Sequence, residues 1–328
     1  MKTKIQLEVK NISKVFVKGN DYISNILRFL GIGKSIEKVI ALDDVSLTIA
    51  QGEIVGLVGE SGCGKSTLGK IIAGILPQTK GKIIYNGINY EKLSKQESLQ
   101  IQMVFQDPFA SLNPRLRIKK IIGEAPITHK LVSKKNLDSH IEKITIQSGL
   151  NKEFLNRFPH QFSGGQRQRI GIARALAIFP KLLICDEPVS ALDVSIQAQI
   201  INLFMKIKKE MNMSYLFISH DMGVIEHVSD KIIVMYLGRI VETGRTPDLI
   251  KNPNHPYTQA LLRESPTIKK QSQKFIPIEG EIPSPLNPPN GCHFHPRCPK
   301  ALDICKRIRP ELIKIAEDKY SACHLNSY

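Results

Sequence analysis

Between Gly59 and Thr67 the chain reads Gly-Glu-Ser-Gly-Cys-Gly-Lys-Ser-Thr. No other stretch constrains the fold as much. A phosphate-binding loop of the form Gly59-x4-Gly64-Lys65-Ser66 needs a buried strand in front of it and a helix behind it. Both are legible. Ile54-Val-Gly-Leu-Val58 reads as a strand of a parallel sheet, and Leu68 to Ala73 reads as a helix whose N-terminus would meet the phosphates. The glycines let successive backbone N–H groups turn inward as an anion nest. Phosphate contacts therefore fall to Gly59, Ser61, Gly62, Cys63, Gly64, Lys65, Ser66 and Thr67. Lys65 reaches the β- and γ-phosphates and the Ser66 hydroxyl ligates Mg²⁺. The plain alternative, a glycine-rich turn without a ligand, leaves the Lys-Ser pair unexplained.

The 328 residues allow one large α/β domain with a small appendage, or two domains. A hydrophobic content of 42% is ordinary for a globular chain. No run approaches the roughly 18–20 apolar residues that span a bilayer. The start, Met-Lys-Thr-Lys-Ile, has no apolar signal core, so export is not expected. A net charge of +16 suits nucleotides, nucleic acid or the cytoplasmic face of a membrane, or simply a solvated basic surface. With no Trp and few aromatics, a stacking platform for single-stranded nucleic acid is not suggested.

Residues 1–58 read as strands and turns. An insert from Asn20 to Lys38 carries Ile23, Ile26, Leu27 and Leu30 at helical spacing. It suits a short helix packed on its own domain better than a membrane contact. From Glu91 to about Ile178 the pattern is mainly helical, broken at Asp107-Pro108 and Asn113-Pro114. Strand-like runs Lys181–Cys185 and Tyr215–Ile218 end in Asp186-Glu187 and Ser219-His220. Strands that end in functional groups are what an open α/β sheet presents at its C-terminal edge. Glu281 to Pro289, with Pro283, Pro285, Pro288 and Pro289, reads as an extended linker. It is expected to hold the tail apart from the nucleotide.

Asp186, closing an apolar strand, can serve Mg²⁺, and Glu187 can orient or deprotonate an attacking water. Alone this pair also fits a helix start. Ser163-Gly164-Gly165-Gln166, just before the apolar run Ile170 to Ala177, makes a helix N-terminus with free N–H groups, a second anion site or a mere capping turn. A monomer has little need of two anion sites, unless one serves a nucleotide held by a partner.

The phosphate loop, Gln106, Ser163–Gln166, Asp186-Glu187, Ser190-Ala191-Leu192-Asp193 and His220 occur in the order found in ATP-binding cassette (ABC) ATPases. The chain resembles that family over roughly residues 5–262. The resemblance implies an α/β P-loop NTPase fold: a RecA-like core, an antiparallel β subdomain and a helical signature subdomain at about 91–178. It implies a head-to-tail dimer in which each ATP lies between one subunit's phosphate loop and the other's signature. Gln106 then senses the γ-phosphate and Mg²⁺ and touches membrane subunits. Asp186 serves Mg²⁺, Glu187 is the catalytic base, His220 contacts the γ-phosphate, and Asp193 lies at the dimer interface. Phe16 falls where the family stacks an aromatic on adenine; a core Phe on an edge strand is the alternative.

Val104–Pro114, Pro188–Val194, His255–Leu261, Pro283–Pro289 and Gly291–Cys298 look like the dipeptide and oligopeptide importer ATPases, and most like their second ATPase subunit. The resemblance divides the chain into an ATP-binding domain, 1–265, and a C-terminal extension, 266–328. It implies a peripheral ATPase at the cytoplasmic face of the membrane, paired with a paralogue or with itself. Two transmembrane permeases and an extracytoplasmic binding protein would complete the importer. Uptake of nickel or a metal chelate is the alternative cargo. A soluble ABC ATPase acting on nucleic acid or ribosomes would need a coiled-coil insertion or a second cassette. A regulatory module without turnover conflicts with an intact Glu187 and His220. No nucleic-acid partner is expected.

Cys63 and Cys185 read as isolated and structural. Cys292, Cys298, Cys305 and Cys323 crowd into the tail, and without an export signal a disulfide framework is not expected. Their spacing, x5, x6 and x17, is not that of a common zinc ribbon. Iron–sulfur clusters accept looser spacings. Resemblance to importer ATPases with a [4Fe–4S] cluster in this tail supports all four as ligands. Zinc is the runner-up, with His293, His295 or His324 as substitutes. Unliganded thiols are the third reading, set against a tail with little core of its own.

Overall fold

The computed structural model describes residues 4–18, 37–264, 278 and 280–327. The helix expected from Ile23 to Leu30 lies outside them. Strands β1 (Ile5–Lys18), β2 (Glu37–Ala50), β4 (Lys80–Tyr85) and β5 (Ile88–Asn89) form an antiparallel sheet in the order β2-β1-β4-β5. The larger sheet runs β11-β12-β10-β9-β3-β8-β7-β6. Its members are β3 (Ile54–Val58), β6 (Ile101–Val104), β7 (Leu182–Asp186), β8 (Ser214–Ser219), β9 (Lys231–Tyr236), β10 (Arg239–Arg245), β11 (Ile313–Ala316) and β12 (Lys319–Ser321). From β9 to β6 the pairing is parallel, and β10, β12 and β11 continue it antiparallel.

The parallel strands are buried on both faces, which is why they read as unbroken apolar runs. Alternation still sorts their side chains between two cores. Ile54, Val58, Leu183, Cys185, Tyr215 and Phe217 face the core that underlies the helices between residues 118 and 207. Val55, Leu57, Leu182, Ile184, Leu216 and Ile218 face the core shared with the antiparallel sheet and the helix Lys65–Ile72. Each such aliphatic side chain contributes about 1.5–3 kcal/mol by leaving water. Gly56 lets the helix Met222–Val228 lie close on β3: a Cβ there would sit 2.6 Å from Ile225 Cγ2.

Two expectations need correction. Ile101–Val104, inside the stretch read as helical, is a strand paired in parallel with β7. Four residues are too few for periodicity to separate a buried strand from a helical turn, and the pairing partner decides. The tail is not held apart by its prolines. β12 pairs with β10 (Glu242 with Ser321, Thr243 with Tyr320), so the tail extends the main sheet. Phe294 is buried in the larger core, and Cys292 and Cys298 pack against it. Ile40 N–H donates to Pro285 O, so the proline stretch itself lies along β2.

Candidate active site

The C-terminal ends of four neighbouring parallel strands carry the expected groups. Gln106 follows β6, Asp186-Glu187 end β7, His220 follows β8, and the phosphate loop follows β3. Parallel register alone brings them to one edge, although they are far apart in sequence.

In the loop, Gly62 and Gly64 have φ of 77° and 103°. Gly64 is the N-cap of the helix Lys65–Ile72 and supplies no side-chain cap, so the first N–H groups are left for an anion. A Cβ on Gly64 would lie 2.4 Å from Ala41 O, so any larger residue would have to move β2. Lys65 is only 3% exposed. Its Nζ donates to Gly59 O (2.7 Å) and Glu60 O (2.9 Å), so the ammonium is held over the loop by two carbonyls. The Cys63 side chain turns into the smaller core, where burial raises its thiol pKa against the pull of Lys65. Ser61 is exposed, and Ser66 and Thr67 are half-buried.

Ser66 Oγ donates to Asp186 Oδ1 at 2.7 Å. Burial raises the Asp186 pKa and the neighbouring Glu187 adds to it, while Ser66, Lys70 and Lys65 pull it down. A hydroxyl and a carboxylate oxygen side by side are hard ligands that fit Mg²⁺, whose charge would favour the ionised form.

Glu187 is the hub. Its Oε2 accepts from Gln106 Nε2 at 2.9 Å and lies 3.3 Å from His220 Nδ1. Its backbone stands at φ 44°, and its N–H donates to Ile218 O at 3.0 Å. A left-handed backbone on glutamate costs on the order of 1–3 kcal/mol, a kind of strain found where side-chain aim matters. Beside the hub a cleft of about 750 Å³ opens, lined by Lys70, Phe105, Gln106, Ala125 and Arg174 among others.

Ser163 caps the helix Gly164–Leu176 in a reciprocal box: Gln166 N–H donates to Ser163 Oγ (3.4 Å) and Ser163 N–H to Gln166 Oε1 (3.1 Å). Among the described residues no hydrogen bond joins this turn to the chain's own phosphate loop. Asp193 stands at the N-cap position of the helix Val194–Met211 without a side-chain capping bond, and is exposed beside Val194, an apolar side chain 81% exposed. Phe16 lies near the end of β1, where β2 pairs with it and the pairing with β4 has already ended, and it is exposed with Lys14 Nζ 5.0 Å from its ring centre. The core reading of Phe16 is therefore withdrawn.

The tail thiols gather in one neighbourhood without disulfides. Cys292 N–H donates to Cys305 O at 2.8 Å. Burial, with Cys305, Cys323 and Cys298 adding, pushes the Cys292 thiol up to about 11. Four reduced thiols suit a soft metal centre. Yet among the described residues no three His, Cys, Asp or Glu side chains are set to hold a metal ion. The offered histidines each spend one ring nitrogen on a backbone carbonyl: His293 on Leu237, His295 on Cys292 and His324 on Ile308.

Sequence reasoning missed three contributors. Phe109, 62% exposed, lies after Gln106 with the Arg167 guanidinium 3.7 Å from its ring centre. Tyr257 OH accepts from Glu60 N–H at 2.9 Å, and Arg297 pairs with the Glu60 carboxylate at 2.7 Å. The strings His255-Pro-Tyr257 and Gly291–Cys298 stood out only as a resemblance.

Comparison with known proteins gives two family matches: "ABC transporter" over residues 42–190, and "Oligopeptide/dipeptide transporter, C-terminal region" over residues 241–305. The oligopeptide transport ATP-binding protein AppF of Bacillus subtilis is 49% identical over 302 residues, covering 90% of this chain and 92% of that protein. The dipeptide transport ATP-binding protein DppF of Haemophilus influenzae is 47% identical over 88% of this chain and 89% of its own length. Among solved structures, the dimeric post-hydrolysis ATP-binding cassette MJ0796 with ADP and Pi aligns with a TM-score of 0.61 and 28% identity. That alignment covers 73% of this chain and 98% of that one.

Proposed function

This chain belongs to the ABC transporter ATPases of the oligopeptide/dipeptide type, and we propose that it powers peptide import as a peripheral subunit at the cytoplasmic face of the membrane. It hydrolyses ATP. The Glu187 carboxylate, held between Gln106 and His220, is the observation that carries the mechanism. In this reading Lys65 exchanges Gly59 O and Glu60 O for β- and γ-phosphate oxygens. Ser66 and Asp186 would hold Mg²⁺, which when bound would supply charge neutralisation at the phosphates. Glu187 takes the proton of the water whose oxygen attacks the γ-phosphorus. The bond from that phosphorus to the bridging oxygen breaks and ADP leaves. His220 and Gln106 aim Glu187 and touch the γ-phosphate side. Phe16 offers its open face to adenine.

We assign Ser163, Gly164, Gly165 and Gln166 to an ATP held by a second ATPase subunit, a paralogue or another copy. The Gly164 and Gly165 N–H groups at that helix start, the lack among the described residues of a hydrogen bond from the turn to the chain's own loop, and the exposed Asp193 and Val194 support this. Two transmembrane permeases complete the assembly, with an extracytoplasmic binding protein delivering cargo. The cleft beside Gln106, with exposed Phe109 nearby, suits a permease segment. Among the described residues no helix is long and apolar enough to cross a membrane.

The finer assignment of Cys292, Cys298, Cys305 and Cys323 to a [4Fe–4S] cluster rests on their convergence and reduced state. Such a cluster would supply a crosslink between the ends of the tail. Anaerobically purified protein should then hold about four iron and four sulfide per chain; one zinc without sulfide would replace the cluster with the zinc reading. The transport role is tested by deleting the gene. Uptake of labelled peptides should fall to background and return with the wild-type gene. Undiminished uptake of di- and oligopeptides would refute peptide import.

A further inference from the structure

We propose that Arg297, in the tail, is a positioning residue for nucleotide binding: it neutralises and fixes Glu60 of the phosphate loop, so that the tail sets the affinity for ATP. This deepens the reading above and rests on the loop being the nucleotide site.

Glu60 is held at four atoms. Its N–H donates to Tyr257 OH (2.9 Å), and its carbonyl accepts from Lys65 Nζ (2.9 Å). Arg297 Nη1 and Nη2 donate to Oε2 and Oε1 at 2.7 and 2.9 Å, a two-pronged pair. The two side chains are 5% and 18% exposed, so water screens the pair little. A carboxylate in a phosphate loop repels the ligand. An arginine paired with it removes most of that repulsion, and its planar fork also fixes where the loop begins.

Arg297 is itself held by a platform. Tyr236, Tyr257 and Phe294 pack with ring centres 4.7–5.3 Å apart, and Arg297 Nη1 reaches Tyr236 OH at 3.3 Å. The tail strand β12 adds a second tie. Lys319 pairs at 3.7 Å with Glu242, which is fully buried. The Glu242 carboxylate accepts the N–H groups of Asn254 and His255 at 2.9 Å, fixing the turn that presents Tyr257.

The test measures ATP binding by calorimetry on the full chain without Mg²⁺, so that hydrolysis does not intrude. Arg297→Ala should weaken binding about tenfold, because it leaves a bare carboxylate beside the phosphates. Arg297→Lys, which keeps charge but loses the fork, should weaken it about threefold. In a Glu60→Gln background, Arg297→Ala should cost less than about twofold, since no carboxylate remains to be neutralised. With Mg²⁺ present, the loss should appear in KM rather than kcat. Should Arg297→Ala not fold, Glu60→Gln alone decides: it removes a carboxylate from beside the phosphates and should tighten binding. Unchanged affinity in Arg297→Ala, an equal loss in both backgrounds, or weaker binding in Glu60→Gln overturns the proposal. Lys65→Ala is the separate control. If it leaves ATP affinity untouched, the loop is not the nucleotide site, and the failure lies in that reading.

Discussion

The phosphate-loop centre and the cysteine tail each gather residues that are distant in sequence, but by different means. In the centre, Gln106, Asp186, Glu187 and His220 sit at or just past the ends of β6, β7 and β8, and strand register brings them together. In the tail, the cysteines sit on short turns, and their convergence comes from β12 pairing with β10 and from Phe294 packing among Tyr236 and Tyr257. A scaffold of parallel strands aims a carboxylate within hydrogen-bond reach of its neighbours. A scaffold of turns brings thiols near one another, but among the described residues it does not set three of them in ligand geometry as register sets the carboxylate. The two regions nonetheless meet at the Arg297–Glu60 pair, so the less regular one bears on the more regular one.

The largest effect should come from Glu187→Gln, at the hub. Removing a general base typically lowers turnover by about 10²–10⁴-fold. ATP binding should persist, because the carboxylate acts on water and the phosphates are held elsewhere. Phosphate release close to the wild-type rate would take Glu187 out of the chemistry. It would also break the contrast, since the centre's best-aimed group would then be no more functional than the tail.

Phe294→Ala sharpens the other side. The ring is buried against Tyr236, Tyr257 and His255, and its loss should cost about 3–5 kcal/mol of stability. Urea unfolding measures this. If packing rather than thiol ligation anchors the tail, the cost should be present in metal-free protein. A loss under about 1 kcal/mol would mean that the tail is anchored mainly through its cysteines.

The centre was largely legible. The loop pattern, the apolar runs and the polar residues ending them are local features, and strands with such endings converge at one sheet edge. Ile101–Val104 was not legible as a strand, because four residues look alike in either state until β7 pairs with them. Phe16 was ambiguous, because exposure depends on what covers a strand face. The tail is the least legible region. Its four prolines suggest separation, but Pro285 O takes an N–H from β2 and Lys319 enters the main sheet beside a buried glutamate.

The sequence by itself determined that this chain builds a phosphate loop between a buried strand and a helix, and that an acidic pair and a histidine end two further strands. These are consequences of order along the chain, where spacing and apolar pattern suffice. Only the tertiary structure decided that Glu187 is gripped by Gln106 and His220, and that Arg297 reaches Glu60 across 237 positions. Such pairs depend on strand register and on an aromatic platform that exists only when three separate segments have packed together, and no local pattern encodes that.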